Sequence, residues 1–361
     1  MTKQSERQVN LMQERIYYLD LLRALAIMLV FTGHTVLSYG SPFYLAPLQF
    51  GGTGVDLFFL LSGWLIGSQL FTEKQKFSTI DVKRFWIRRW MRTMPAYFVV
   101  LLATLAQLYL TKDSVANPLP YFFFVQNYFY PLEYFSISWS LGVEEQFYLI
   151  IAPFILFIHR FNKYKQSFIL IIILLLPSLF RALGWFSSVN ETHVRWDCCL
   201  MGVLLAHTYF KHPRLWTSAK RFIKPALFIG ALSYMAFFYF RWNPPFESYQ
   251  DPSKLLLAFI FGLIVFYAVN KPISHKPFGY ELVMHISTRS YSFYLLHPEA
   301  LALSNRFLAE YNFIIYYAVA LIISLLLSEI LYRFIELPFI AMREKYSFSA
   351  KYVKKEVKYE A

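Results

Sequence analysis

Charge is scarce in this 361-residue chain. Only 16% of its residues are Asp, Glu, Lys or Arg, where a soluble domain carries about 25%. Cysteine is nearly missing: the only two, Cys198 and Cys199, are adjacent, so they cannot form an ordinary bridge with each other and no disulfide framework is implied. The glycine-rich run Gly51-Gly52-Thr53-Gly54-Val55-Asp56 has no strand before it and no Gly-Lys-Ser after it, which argues against a nucleotide loop. The histidines are scattered without close ligand spacing, so a metal site is disfavoured. Internal repeats, soluble domains and low-complexity linkers are missing too.

What the chain has is apolar length. Hydrophobic residues make up 57% of it and aromatics 20%. They come in blocks such as Leu19 to Val36, Phe168 to Leu179 and Phe313 to Leu327, near the roughly 20 residues needed to cross a bilayer. The expected fold class is all-α, a polytopic transmembrane helical bundle with about ten spans: 17–37, 52–71, 94–111, 141–158, 166–185, 196–210, 222–240, 254–270, 282–304 and 313–335. An eleventh block, 119–131, is short, proline-bounded and aromatic, and reads as interfacial or re-entrant. The first block is too long for a signal core and lacks an obvious cleavage site, so it reads as a retained span.

The net charge of +13 could suggest nucleic acid, but the basic residues sit in short segments between apolar blocks. With ten spans and the N-terminus inside, the cytoplasmic segments hold 26 of the 35 Lys and Arg residues. Basic residues in every second loop place both termini in the cytoplasm. The expected division is a tail at 1–16, a membrane domain at 17–340 and a basic tail at 341–361. That last tail either lies against anionic headgroups or is an unstructured solubilising segment.

An unpaired ionisable group inside the bilayer costs about 2.5–3.5 kcal/mol on the insertion scale. The first span nonetheless contains Asp20, Arg23 and His34. Asp20 and Arg23 are three apart and can pair. His34 lies about 16 Å along the same face, at 1.5 Å per residue. A lone histidine in a span is often structural, but a histidine and an arginine on one stripe suggest a polar cavity. Asp56 reads as a carboxylate favoured near a helix N-terminus. The run Lys83 to Arg92 mixes cations with Phe85, Trp86 and Trp90. It reads either as an interfacial lipid anchor or as an anion site in which Arg89 and Arg92 share a face. Ser138 to Tyr148 carries Glu144 and Tyr148 on one face at the level of His34, so Glu144 is a candidate acid–base partner for His34. Arg195, Asp197, Arg289, His297 and the pair Arg333 and Glu336 read first as interhelical contacts holding the bundle together.

Together these segments resemble the membrane acyltransferase family 3, bacterial O-acyltransferases that modify surface polysaccharides. The matching pieces run from Tyr18 to Pro338. They are Leu19-Asp20-Leu21-Leu22-Arg23-Ala24-Leu25-Ala26 with the spacing to His34; Gly54-Val55-Asp56-Leu57-Phe58-Phe59-Leu60-Leu61-Ser62-Gly63; Arg89 and Arg92 with Pro95; and Trp139-Ser140-Leu141 with Glu144, Phe147 and Tyr148. The resemblance implies an acyl-CoA donor, acetyl-CoA foremost, and no permanently bound cofactor. It implies an acceptor hydroxyl on an envelope glycan such as lipopolysaccharide O-antigen or exopolysaccharide, or on a lipid-linked sugar, and a place in the bacterial inner membrane. It also implies His34 as catalytic base, Arg23 as its helix partner and Glu144 as a catalytic-site carboxylate. Arg89 and Arg92, with Arg88 beside them, would contact the CoA phosphates. Asp20, Asp56, Ser62, Tyr148, Arg195, Asp197 and His297 are further polar-cavity candidates. Many relatives carry an extra extracytoplasmic domain, and this chain is expected to meet its acceptor with spans and outer loops alone. The competing class is a transporter or lipid carrier, which ten spans and buried charges would also fit.

Overall fold

The computed structural model describes residues 16–113, 115–242, 253–272, 275–308 and 310–346. Of the tails expected in the cytoplasm, 1–15 and 347–361 lie outside these residues. Every regular element among the described residues is helical. In chain order they are α1 (Tyr17–Ser38), a 3-10 segment (Phe43–Thr53), α2 (Gly54–Phe77), α3 (Val82–Thr111), α4 (Leu119–Phe122), α5 (Ser138–Ile158), α6 (Lys163–Ala182) and α7 (Asp197–Lys211). There follow α8 (Pro213–Ala219), α9 (Ile223–Trp242), α10 (Ser253–Asn270), α11 (Tyr280–Leu308), α12 (Phe313–Leu331), a π turn (Tyr332–Glu336) and α13 (Leu337–Arg343).

A helix stands at each of the ten blocks read as spans. Six stretches among the described residues are long and apolar enough to cross a membrane: Tyr17–Ser38, Phe43–Phe77, Val82–Thr111, Ser138–Ile158, Lys163–Ala182 and Phe313–Arg343. The block 119–131 forms only the short α4 and a 3-10 turn at Gln126–Tyr128. It is tied into the bundle by buried amides rather than laid along it. Gln126 donates to the Ser138 carbonyl (2.7 Å), Asn127 to the Thr192 hydroxyl (2.8 Å), and Gln146 of α5 to the Phe124 carbonyl (2.7 Å).

Two boundaries differ from the sequence reading. The basic–aromatic run was expected to be an interfacial helix separate from the span at 94–111. Instead Val82–Thr111 is one helix that runs through Pro95. Asp81 caps it by accepting from the Arg84 amide at 3.0 Å, and the single ladder bond that Pro95 cannot make does not break it. The last span was expected to end at 335, but the helix passes through the π turn and reaches Arg343. The wider turn leaves Glu336 buried, where it accepts from Ser292 of α11 at 2.6 Å.

Helix association in lipid depends on van der Waals packing, because lipid tails are as apolar as leucine, and small residues permit the closest approach. The α2–α7 crossing shows this. A Cβ on Gly63 would lie 2.0 Å from the Cys199 carbonyl oxygen, and one on Gly202 would lie 2.3 Å from the Leu60 carbonyl oxygen. Two backbones therefore meet with nothing between them. Trp64, next to Gly63, is fully buried and stacks on Trp216. Helices α1, α2, α3, α5 and α11 surround the space that follows.

Candidate active site

A cavity of about 470 Å³ runs along α2. Its lining on that helix extends from Val55 through Ser62 and Gln69 to Thr72, which at 1.5 Å per residue is about 25 Å of axial length. Helix α1 contributes Arg23, α3 contributes Arg89, Arg92 and Thr93, α5 contributes Ser140 and Glu144, and α11 contributes Ser290, Tyr291 and Tyr294. The arginines bring three fixed positive charges to one cavity, an arrangement suited to phosphates.

Each arginine is held differently. Arg23 pairs with Asp20 at 3.4 Å, as their spacing suggested, and Asp20 also accepts from Ser287 of α11. The Arg89 guanidinium lies 4.0 Å from the Tyr148 ring centre and donates to the Tyr148 hydroxyl. Tyr148 donates to Ser62 (3.2 Å), and Ser62 donates to Glu144 (2.8 Å). A hydrogen-bonded chain therefore joins a cavity arginine to a cavity carboxylate. Arg92 makes no hydrogen bond or ion pair among the described residues, which leaves its donors available to a ligand. Arg88 was grouped with these two from sequence, but it is not part of the cavity wall and donates to the Arg343 carbonyl (3.1 Å). At about 100° of rotation per residue, Arg88 points about 100° around the helix from Arg89.

His34 does not meet Glu144. Its Nδ1 lies 2.7 Å from Nε2 of His297 on α11, and the two rings are nearly coplanar, with 3° between them. His297 is completely buried. Its Nδ1 lies 2.8 Å from the carbonyl oxygen of Tyr294, a residue that lines the cavity. The Tyr294 hydroxyl is fixed against Ser140 (2.6 Å) and the Ile137 carbonyl (3.0 Å). The histidine pair thus stands directly behind the cavity wall, one residue removed.

Asp56, Arg195, Asp197 and Arg289 form ion pairs across the bundle, whereas Arg333 pairs with Glu329 one turn away along its own helix. Arg195 pairs with Asp56 (3.0 Å), which also binds Lys254 (3.1 Å), and its guanidinium stacks over Trp139. Asp197 pairs with Arg181 of α6 (2.7 Å). Arg333 and Arg289 both hold Glu329, whereas Glu336 bonds Ser292. Among the described residues no group of three or more His, Cys, Asp or Glu could hold a metal ion. The sequence reading missed Ser290, Tyr291 and Tyr294. These residues and His297 fall at helical spacing on α11, a polar stripe in a span that was legible in principle.

The fold and cavity define a membrane-embedded helical protein with an arginine-lined chamber beside a histidine pair. The chain belongs to the acyltransferase family 3, whose acyltransferase domain matches residues 16–333. It is similar to the peptidoglycan O-acetyltransferase OatA of Listeria monocytogenes serovar 1/2a, with 29% identity covering 89% of this chain and 55% of that protein. It is similar also to a putative O-acetyltransferase of Staphylococcus aureus strain COL (30% identity, 89% and 56%) and to the O-acetyltransferase OatA of strain NCTC 8325 (28%, 89% and 56%). The chain thus spans about half the length of these curated relatives. No solved structure matches. The transporter reading gains no support from the family or from these relatives.

Proposed function

We propose that this protein is an integral membrane O-acyltransferase that moves an acetyl group from acetyl-CoA to a hydroxyl of a cell-envelope glycan. The observation that carries the reading is that Arg23, Arg89 and Arg92 share the wall of one cavity, with the His34–His297 pair behind Tyr294. The basic loops put the Arg23 end of α1 on the cytoplasmic side and His34 towards the outside. The CoA phosphates bind Arg89 and Arg92, and the pantetheine arm extends along α2 past Ser62. His34 removes the proton from the acceptor hydroxyl, whose oxygen attacks the thioester carbonyl carbon. The C–S bond then breaks, and the proton held by His34 passes to the departing thiolate, giving ester and free CoA. Glu144, held by Ser62, supplies a fixed negative charge in the chamber.

The name of the Listeria relative points to peptidoglycan as the acceptor class, rather than to the lipopolysaccharide that the family resemblance first suggested. The inner membrane follows from the need for cytoplasmic acetyl-CoA. Membranes containing the protein should move radiolabelled acetyl from acetyl-CoA onto glycan. His34→Ala should lower that transfer by at least about 10²-fold with the protein still present in the membrane. Undiminished transfer by this variant would overturn the reading.

A further inference from the structure

The local chemistry of α11 specifies which nitrogen of His34 carries a proton. In an α-helix the carbonyl of residue 294 accepts from the amide of residue 298. Residue 298 is proline and lies inside α11, so that amide hydrogen does not exist. The Tyr294 carbonyl is left without its ladder donor, and the His297 ring fills the place with Nδ1 at 2.8 Å.

A carbonyl oxygen can only accept, so His297 Nδ1 bears a proton. No carboxylate forms an ion pair with either ring among the described residues. An extra proton on the pair at rest would be a buried charge without a counter-ion, which is costly. The resting pair is therefore neutral. With its proton on Nδ1, His297 presents a bare Nε2, and a bare Nε2 accepts from its neighbour at 2.7 Å. The proton between the rings thus belongs to His34 Nδ1. A neutral His34 with Nδ1 protonated has a bare Nε2 at the far side of its ring, and that atom has no hydrogen-bond partner among the described residues.

We propose that His297 and Pro298 act together as a positioning device that fixes the tautomer of His34 and presents its Nε2 as the proton-accepting atom. The residue plays the part a carboxylate plays beside many catalytic histidines, but without a charge. The sequence signal is the dipeptide His297-Pro298: the proline frees a carbonyl and the preceding histidine uses it. When His34 takes a proton from the acceptor on Nε2, its Nδ1–H continues to donate to His297, so positive charge is stabilised through two hydrogen bonds ending on the Tyr294 carbonyl. No rearrangement is needed at the moment of transfer.

The inference rests on the acyl-transfer reading of His34, and its failure is separable from failure of that reading. If His34→Ala retains activity, the function itself is wrong. If His34→Ala is inactive, a comparison of two variants tests the device. His297→Gln keeps a side-chain oxygen that can accept from His34 Nδ1, whereas His297→Leu fills similar space and cannot. Acetyl transfer by purified full-length protein should fall in kcat by about 10²-fold for H297L and by less than about tenfold for H297Q. KM for acetyl-CoA should stay within about twofold in both. Equal activity of the two variants, at either a high or a low level, would overturn the proposal, as would a loss expressed in KM. Pro298→Ala leaves both histidines in place but returns an amide that competes for the Tyr294 carbonyl. It should lower kcat with KM unchanged, and an unchanged kcat would refute the role assigned to the freed carbonyl.

Discussion

Gly63→Ala adds one methyl group where α2 crosses α7. The new Cβ would sit 2.0 Å from the Cys199 carbonyl oxygen, and real Cβ contacts essentially never fall below 3.0 Å. The helices must therefore part by about 1 Å at this point, since both atoms concerned belong to backbone. A gap of that size forfeits a quarter to a half of each dispersion contact across it, and overpacking of this kind costs about 1–3 kcal/mol. The neighbouring residue, Ser62, lines the cavity and holds Glu144 at 2.8 Å. Displacement of reacting or supporting groups by about 1 Å can cost about 10² in rate. Gly63→Ala should thus lower the apparent melting temperature in detergent by a few degrees and reduce acetyl transfer. Gly52→Ala is the matched control, because a Cβ there meets nothing within 4 Å. If thermal unfolding and transfer assays fail to separate the two variants, the close α2–α7 crossing does not shape the cavity as argued.

Other outcomes follow from the same geometry. Asp197→Ala leaves the Arg181 guanidinium, 7% exposed, without its carboxylate; this should destabilise the protein by about 3–5 kcal/mol, read by denaturant unfolding, and a double variant replacing Arg181 with methionine should recover most of the loss. Arg92→Ala should raise KM for acetyl-CoA about tenfold with little change in kcat, measured with radiolabelled donor; a selective fall in kcat would place Arg92 at the reacting end instead.

Helices and their registers were legible in the sequence because both are local. Arg23 and His34 share a helix whose rise sets their separation at about 16 Å, and Asp20 pairs with Arg23 within one turn. Arg89 and Arg92 both reach the cavity because three residues make nearly one turn. Arg88 lies within about 40° of Arg92 by the same periodicity, and its contact with the Arg343 carbonyl draws it away from the cavity. The short aromatic block 119–131 could be set aside as a span from its length and prolines, but its buried Gln126 and Asn127 amides could not be foreseen.

Partner choice across helices was decided only by tertiary structure. The sequence pattern puts His34 and Glu144 at one level of the bundle, yet the imidazole bonds His297, 263 residues away, and the carboxylate bonds Ser62. Arg195 reaches back to Asp56 while Asp197, two residues on, turns to Arg181. The physical reason is that helical periodicity specifies which face of a helix is polar but not which other face it will meet; that depends on where glycines such as Gly63 and Gly202 let backbones touch. At the histidine pair, the sequence by itself determined the two imidazoles, Pro298 and the carbonyl the proline leaves free. The meeting of α1 with α11 determined that this carbonyl would orient the histidine behind the cavity.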